Sequence, residues 1–219
     1  MESILFVGNS YTYYHDLPQL FCSLACENGH EVRVDSVTKG ARRLTEFRNP
    51  EDPYTVRLAE LLSQRHYAVA FLQEQSVLPI SGEATFLVGV EHLCARLKGK
   101  AERVILYQTW ARRAGHATLV KNGWTVEEMA KRLRDAYRRA ADAFDVELSP
   151  VGDAFSALLS AHPELELYAE DGTHPSPLGT ALAAIVHYRA VFGELPRSMA
   201  SLGLEKNDET ALTDAVKEI

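Results

Sequence analysis

A serine near one end of this chain and a carboxylate–imidazole pair near the other are the residues that could do chemistry together. The serine stands in Ile4-Leu5-Phe6-Val7-Gly8-Asn9-Ser10-Tyr11-Thr12, an apolar run that stops abruptly at small polar residues. The pair stands in Asp171-Gly172-Thr173-His174-Pro175-Ser176-Pro177-Leu178-Gly179. A serine hydroxyl becomes a nucleophile only beside a base, and the base needs a group that fixes its tautomer. In a tight turn, residues three apart bring a carboxylate toward imidazole Nδ1 and leave Nε2 free to take a proton. Asp171 and His174 have that spacing. Each motif also has a plain structural reading. Turns favour Ser and Asn for backbone reasons. Asp-Gly ahead of two prolines reads equally as a turn leading into a helix capped by Ser176. The serine block is not the lipase-type elbow Gly-x-Ser-x-Gly, because Thr12 stands where the last glycine belongs.

The elements between these motifs must bring them together. Residues 3–8, 31–37, 67–73, 103–108 and 146–151 read as strands, several as near-continuous apolar runs expected of parallel strands covered on both faces. Residues 17–28, 54–65, 83–97, 126–144 and 178–192 read as helices. Gly29 follows the first helix where a stop is favoured, and Thr125 precedes the fourth as an N-cap would. Alternation of strand and helix predicts a three-layer α/β/α sandwich in one domain spanning residues 1–219. Residues 48–53 and 112–124 read as long surface loops, and the polar tail from Leu202 onward as loosely packed. Ligands of such sheets bind beyond the carboxyl ends of the strands. The residues after successive strands should therefore converge: Asn9-Ser10, Thr38-Lys39-Gly40, Gln73-Glu74-Gln75-Ser76 and Thr109-Trp110.

Composition removes other classes. A net charge of −7 argues against nucleic acid as a partner, and the basic run Lys131–Arg139 reads as a solvated helix face. Cys22, Cys26 and Cys94 make no disulfide framework, and reduced thiols fit a cytoplasmic protein. The apolar run at residues 4–7 is too short for a leader and has no basic flank. No run approaches the length of a membrane span, so no membrane partner is expected. His30, His66, His92, His116, His162 and His187 have no ligand spacing, and no metal is expected.

With these blocks in place the chain resembles the SGNH, or GDSL-type, hydrolases. Gly8-Asn9-Ser10-Tyr11-Thr12 is similar to the nucleophile block, with Asn9 in place of the commoner Asp. Gly40 is similar to the glycine block, and Asp171-Gly172-Thr173-His174-Pro175 closely matches the Asp-x-x-His block. The third block departs. Where the family usually has Gly-x-Asn-Asp, this chain has Gln73-Glu74-Gln75-Ser76, and Leu72-Gln73-Glu74-Gln75-Ser76 resembles a subgroup of mostly uncharacterised relatives. The resemblance implies a flavodoxin-like sheet of about five parallel strands, with the active site at their carboxyl edge.

It also implies roles. Ser10 would be the nucleophile, His174 the base and Asp171 its orienting carboxylate. The oxyanion would be held by the N–H groups of Ser10 and Gly40 and by a glutamine amide, Gln75 by position or else Gln73. Loss of one such donor typically costs about 2.7–4 kcal/mol of barrier. The expected substrate is a small-molecule ester, with O-acetyl groups on a carbohydrate as a candidate, and no cofactor is required. An acyltransferase with the same triad and a non-catalytic ligand-binding domain are the alternatives. Tyr11, Glu74 and Trp110, the last beside Arg112, are expected to line the substrate pocket. Of Tyr11, Tyr13, Tyr14 and His15, one or two should face it.

Overall fold

The computed structural model describes residues 1–219. In chain order it contains β1 (Glu2–Gly8), α1 (Ser10–Tyr13), α2 (Leu17–Glu27), β2 (Val32–Thr38), α3 (Pro53–Gln64) and β3 (Tyr67–Leu72). Then come α4 (Leu78–Ser81), α5 (Glu83–Leu97), β4 (Ala101–Tyr107), α6 (Ala117–Asn122) and α7 (Val126–Phe144). β5 (Glu147–Ser149), α8 (Val151–Ala161), α9 (Pro177–Phe192) and α10 (Lys206–Lys217) complete the chain. The five strands form one parallel sheet in the order β2-β1-β3-β4-β5. The expected three-layer α/β architecture is therefore present.

β1 shows why the centre of its sequence is apolar. It pairs with β2 on one side and β3 on the other, and Ile4 to Val7 are all buried. Successive side chains point to opposite faces. Ile4 and Phe6 join a core made with α2, α8, α9 and α10, whereas Leu5 and Val7 join a core made with α3, α5 and α7. A strand covered on both faces cannot alternate with polar residues.

The strand order fixes where a site can form. From β1 the chain crosses to β2 by way of α2 on one face, then returns past β1 to β3 by way of α3 on the other. The crevice at this reversal lies beyond the carboxyl ends of β1 and β3. Ser10 directly follows β1, and the glutamine block directly follows β3.

The expected helix signals appear with small boundary shifts. Thr125 caps α7 in a reciprocal box with Glu128, and the Ser176 hydroxyl accepts the Gly179 N–H at the start of α9. Three segments differ from the sequence reading. The last strand stops at Ser149, because Pro150 turns the chain into α8. Residues 112–124 hold the short helix α6 as well as loop. The tail is not loose: α10 buries Ala211, Leu212, Ala215 and Val216 against the α8–α9 side, and the Arg189 guanidinium donates to the Val216 carbonyl. No helix is long and apolar enough to cross a membrane.

Candidate active site

The nucleophile turn is built by Gly8, Asn9 and Gln73. The last residue of β1 is a glycine, and a Cβ at Gly8 would stand 2.5 Å from Thr12 Oγ1 and 2.7 Å from Gln73 Oε1. Gln73 Oε1 accepts both the Asn9 N–H and the Thr12 hydroxyl at 2.9 Å, and its amide donates to the Glu74 carbonyl. Asn9 Oδ1 accepts the Tyr11 N–H at 3.2 Å, while Asn9 Nδ2 donates to the Arg42 carbonyl at 3.0 Å. One side chain thus ties the turn bearing Ser10 to the loop bearing Gly40.

The base arrives on the loop before α9. Gly172 turns that loop with φ +65°, where a side chain would be strained and would also press on Arg113. Asp171 Oδ1 accepts the N–H groups of Thr173 and His174, both at 2.9 Å. Asp171 Oδ2 lies 2.5 Å from His174 Nδ1, and His174 Nε2 lies 2.8 Å from Ser10 Oγ. With Nδ1–H donating to the carboxylate, Nε2 is the acceptor and the Ser10 hydroxyl the donor. Burial pushes the Asp171 carboxyl up, but the bonds from the His174 ring and the two backbone N–H groups outweigh it and hold it at about 2. The carboxylate is therefore charged whenever the imidazole has work to do.

Aromatic rings frame the imidazole. Tyr14 stacks on His174 with centroids 4.2 Å apart and planes 8° apart, and Tyr11 presents an edge at 5.6 Å. His15 and Asp16, at φ 49° and 52°, reverse the chain into α2. His15 Nε2–H then donates to the Pro175 carbonyl at 3.1 Å, tying the turn to the base loop.

A cavity of about 360 Å³ opens over Ser10 and His174. Tyr11, Tyr13 and Tyr14 all line it, more than the one or two expected, with Gly40, Gln75, Ser76 and Arg112. The N–H groups of Ser10 and Gly40 have no protein acceptor. Gln75 Oε1 accepts the N–H groups of Val77 and Leu78 at 3.1 and 3.0 Å, which settles the amide orientation and leaves Nε2 without a protein acceptor.

Three expected residues lie elsewhere. Gln73 is 1% exposed and does not line the cavity, being committed to the nucleophile turn. Glu74 is fully buried and points away, accepting the Gln75 N–H at 2.6 Å and the Leu44 N–H at 3.2 Å. Trp110 is buried between the Tyr11 ring, 4.4 Å away, and the Phe155 ring, 4.2 Å away. Its Nε1–H donates to the Thr173 carbonyl at 3.1 Å, so it supports both halves of the site from behind. Tyr14 and Ser76 belong to the groups expected near the site, but the stacking of Tyr14 on His174 and the bond from Arg112 to Ser76 have no signal in the sequence beyond adjacency to the nucleophile and glutamine blocks.

The fold and the cavity at its reversal point define a three-layer α/β protein with a candidate site at the carboxyl edge of its sheet. A protein from Slackia heliotrinireducens assigned to the SGNH hydrolases is 33% identical, over 86% of this chain and 98% of that one, with a TM-score of 0.75. This chain belongs to the SGNH hydrolase family. A lipase/acylhydrolase from Enterococcus faecalis shares the fold at 20% identity, with a TM-score of 0.64 over 90% of this chain and all of that one (100%). A variant of an acetyl xylan esterase from Geobacillus stearothermophilus does so at 18% identity, with a TM-score of 0.60 over 90% and 97%. No family model matches the sequence, and no curated protein matches it.

Proposed function

We propose that this hydrolase is a serine esterase that cleaves a small ester through an acyl-enzyme on Ser10. The observation that carries the reading is the unbroken chain from Ser10 Oγ to His174 Nε2 at 2.8 Å and from His174 Nδ1 to Asp171 Oδ2 at 2.5 Å. His174 takes the hydroxyl proton as Ser10 Oγ attacks the ester carbonyl. The charged Asp171 fixes the tautomer and stabilises the imidazolium that forms. The stacked Tyr14 face favours the same cation. The tetrahedral oxyanion takes the N–H groups of Ser10 and Gly40 and the Gln75 amide, all three without protein acceptors. His174 returns its proton to the leaving alcohol, and water repeats the sequence on the acyl-enzyme. A cavity of about 360 Å³ suits a short acyl group, of which acetyl carried by a sugar hydroxyl is one.

The test is a fluorophosphonate probe and a short-chain chromogenic ester, applied to the parent and to Ser10→Ala. The parent should label and hydrolyse, and the variant should do neither, with kcat reduced by about three orders of magnitude or more. A parent that neither labels nor hydrolyses would sink the reading. Labelling with little hydrolysis would move it to an acyltransferase.

A further inference from the structure

The Ser10 cavity contains a buried cation with no anion beside it. Arg112 follows β4 and is 7% exposed. Its guanidinium donates to the Tyr11 hydroxyl and, at 2.8 Å, to Ser76 Oγ, and its Nε has no acceptor. Both partners are neutral, and no carboxylate lies within ion-pair distance. The other deeply buried arginine differs in its partner. Arg42 is 1% exposed and its Nε is likewise without an acceptor, but it is met by the Asp52 carboxylate through two bonds, 2.5 Å from Nη2 and 3.3 Å from Nη1. Burying a charge costs several kcal/mol unless an opposite charge and hydrogen bonds compensate it. Arg42 has that compensation within the protein, and Arg112 does not.

The place of Arg112 supplies the missing partner. It lines the same cavity as Ser10 and His174, and no Asp or Glu lines that cavity. Tyr11 adjoins the nucleophile, and Ser76 adjoins the amide proposed for the oxyanion, so the guanidinium stands between the two halves of the reacting centre. The chain as a whole carries −7, so attraction for an anion must come from such a local group.

We propose that Arg112 receives a carboxylate carried by the ester substrate of Ser10. The inference rests on the esterase reading and narrows it to short esters that bear an acid group a few bonds from the scissile carbonyl. The guanidinium N–H groups left over by Tyr11 and Ser76 meet the carboxylate, and the Ser76 hydroxyl proton is free to join them.

The experiment compares pairs that differ only in charge. Monoethyl succinate against ethyl succinamate places the acid on the acyl side, and acetoxyacetate against acetoxyacetamide places it on the alcohol side. In the parent, the acid member of one pair should exceed its amide in kcat/KM by about ten- to a hundredfold, the range of a charged hydrogen bond. Arg112→Gln should shrink that ratio toward one, mainly through KM, and Arg112→Lys should restore part of it. A ratio near one in both pairs of the parent overturns the proposal. So does an equal loss on both members in Arg112→Gln, which marks a structural role. Calorimetric titration of the Ser10→Ala protein with the same pairs reads the anion site without turnover. Tighter binding of one acid than of its amide supports the site even where the parent proves not to be an esterase, and equal binding counts against it.

Discussion

Asn9 acts on both sides of the proposed oxyanion site with one amide. Its oxygen takes the Tyr11 N–H inside the nucleophile turn, and its nitrogen holds the Arg42 carbonyl two residues beyond Gly40. An aspartate, commoner at this position in the family, can serve only the first bond. In Asn9→Asp an acceptor would face the Arg42 carbonyl in a site that is 2% exposed. Leaving such a buried acceptor unpaired costs about 1–3 kcal/mol. The variant should unfold at lower urea, and its acylation rate should fall because the Gly40 N–H is no longer held. Unchanged urea midpoint and unchanged kcat would refute this account. The same residue shows how far the site could be read in advance. Asp171 and His174 are three apart, so their partnership is local and visible in the sequence. Asn9 with Arg42, Ser10 with His174 and Arg112 with Tyr11 join positions 33, 164 and 101 residues apart, and only the sheet order selects those partners. Gln75 and Gln73 were not separable by type. What separates them is that Gln73 hydrogen-bonds within the nucleophile turn, whereas Gln75 borders the cavity.

Between elements, Glu74 links the end of β3 to the 3₁₀ turn Leu44–Arg48, through bonds from the Leu44 N–H and the Gln75 N–H. Burial pushes its carboxyl from the ordinary 4.5 up to about 8, against the pull of those two N–H groups and of Arg43. From about pH 4.5 to 8 the folded protein then holds a proton that the unfolded chain has lost. Stability must fall as pH rises through that window, and level off above it. Glu74→Gln keeps an acceptor for the two N–H groups and has no proton to lose. Urea midpoints of this variant should vary less than the parent's between about pH 5 and 8. Identical pH slopes in parent and variant would remove Glu74 from the explanation. Element reading succeeded where one period dominated, as in the apolar β1, β3 and β4 and the capped α7. It failed at α8 and α10 for opposite reasons. Pro150 and Val151 extended an apolar run past the true end of β5, although Val151, Ala154, Phe155 and Leu158 already followed helical spacing. In α10 the apolar stripe is four residues among polar neighbours, and only its contact with α8 and α9 gives it a place.

At the scale of the molecule, the two tryptophans report on opposite faces of the sheet. Trp110 belongs to the cluster of 30 buried residues formed with α2, α8, α9 and α10, and Trp124 packs against the cluster of 23 formed with α3, α5 and α7. Neither cluster is a satellite, and every central strand contributes to both. Loss of either helical layer would leave one face of all five strands open to water, at about 25 cal/mol for each Å² exposed. The two faces should therefore unfold together. The proposed catalytic residues sit at the sheet edge where β1, β3 and the loop before α9 meet, so activity should vanish in the same transition. Trp124→Phe leaves Trp110 as the reporter, and Trp110→Phe leaves Trp124. Within each variant, tryptophan fluorescence and far-ultraviolet circular dichroism should trace one urea transition with a common midpoint, and in Trp124→Phe ester hydrolysis should follow it. A fluorescence midpoint that departs from the circular dichroism midpoint in either variant would mean that one layer leaves first. The strands would then be held by the remaining face alone, and the two cores would have to be treated as separate units of stability.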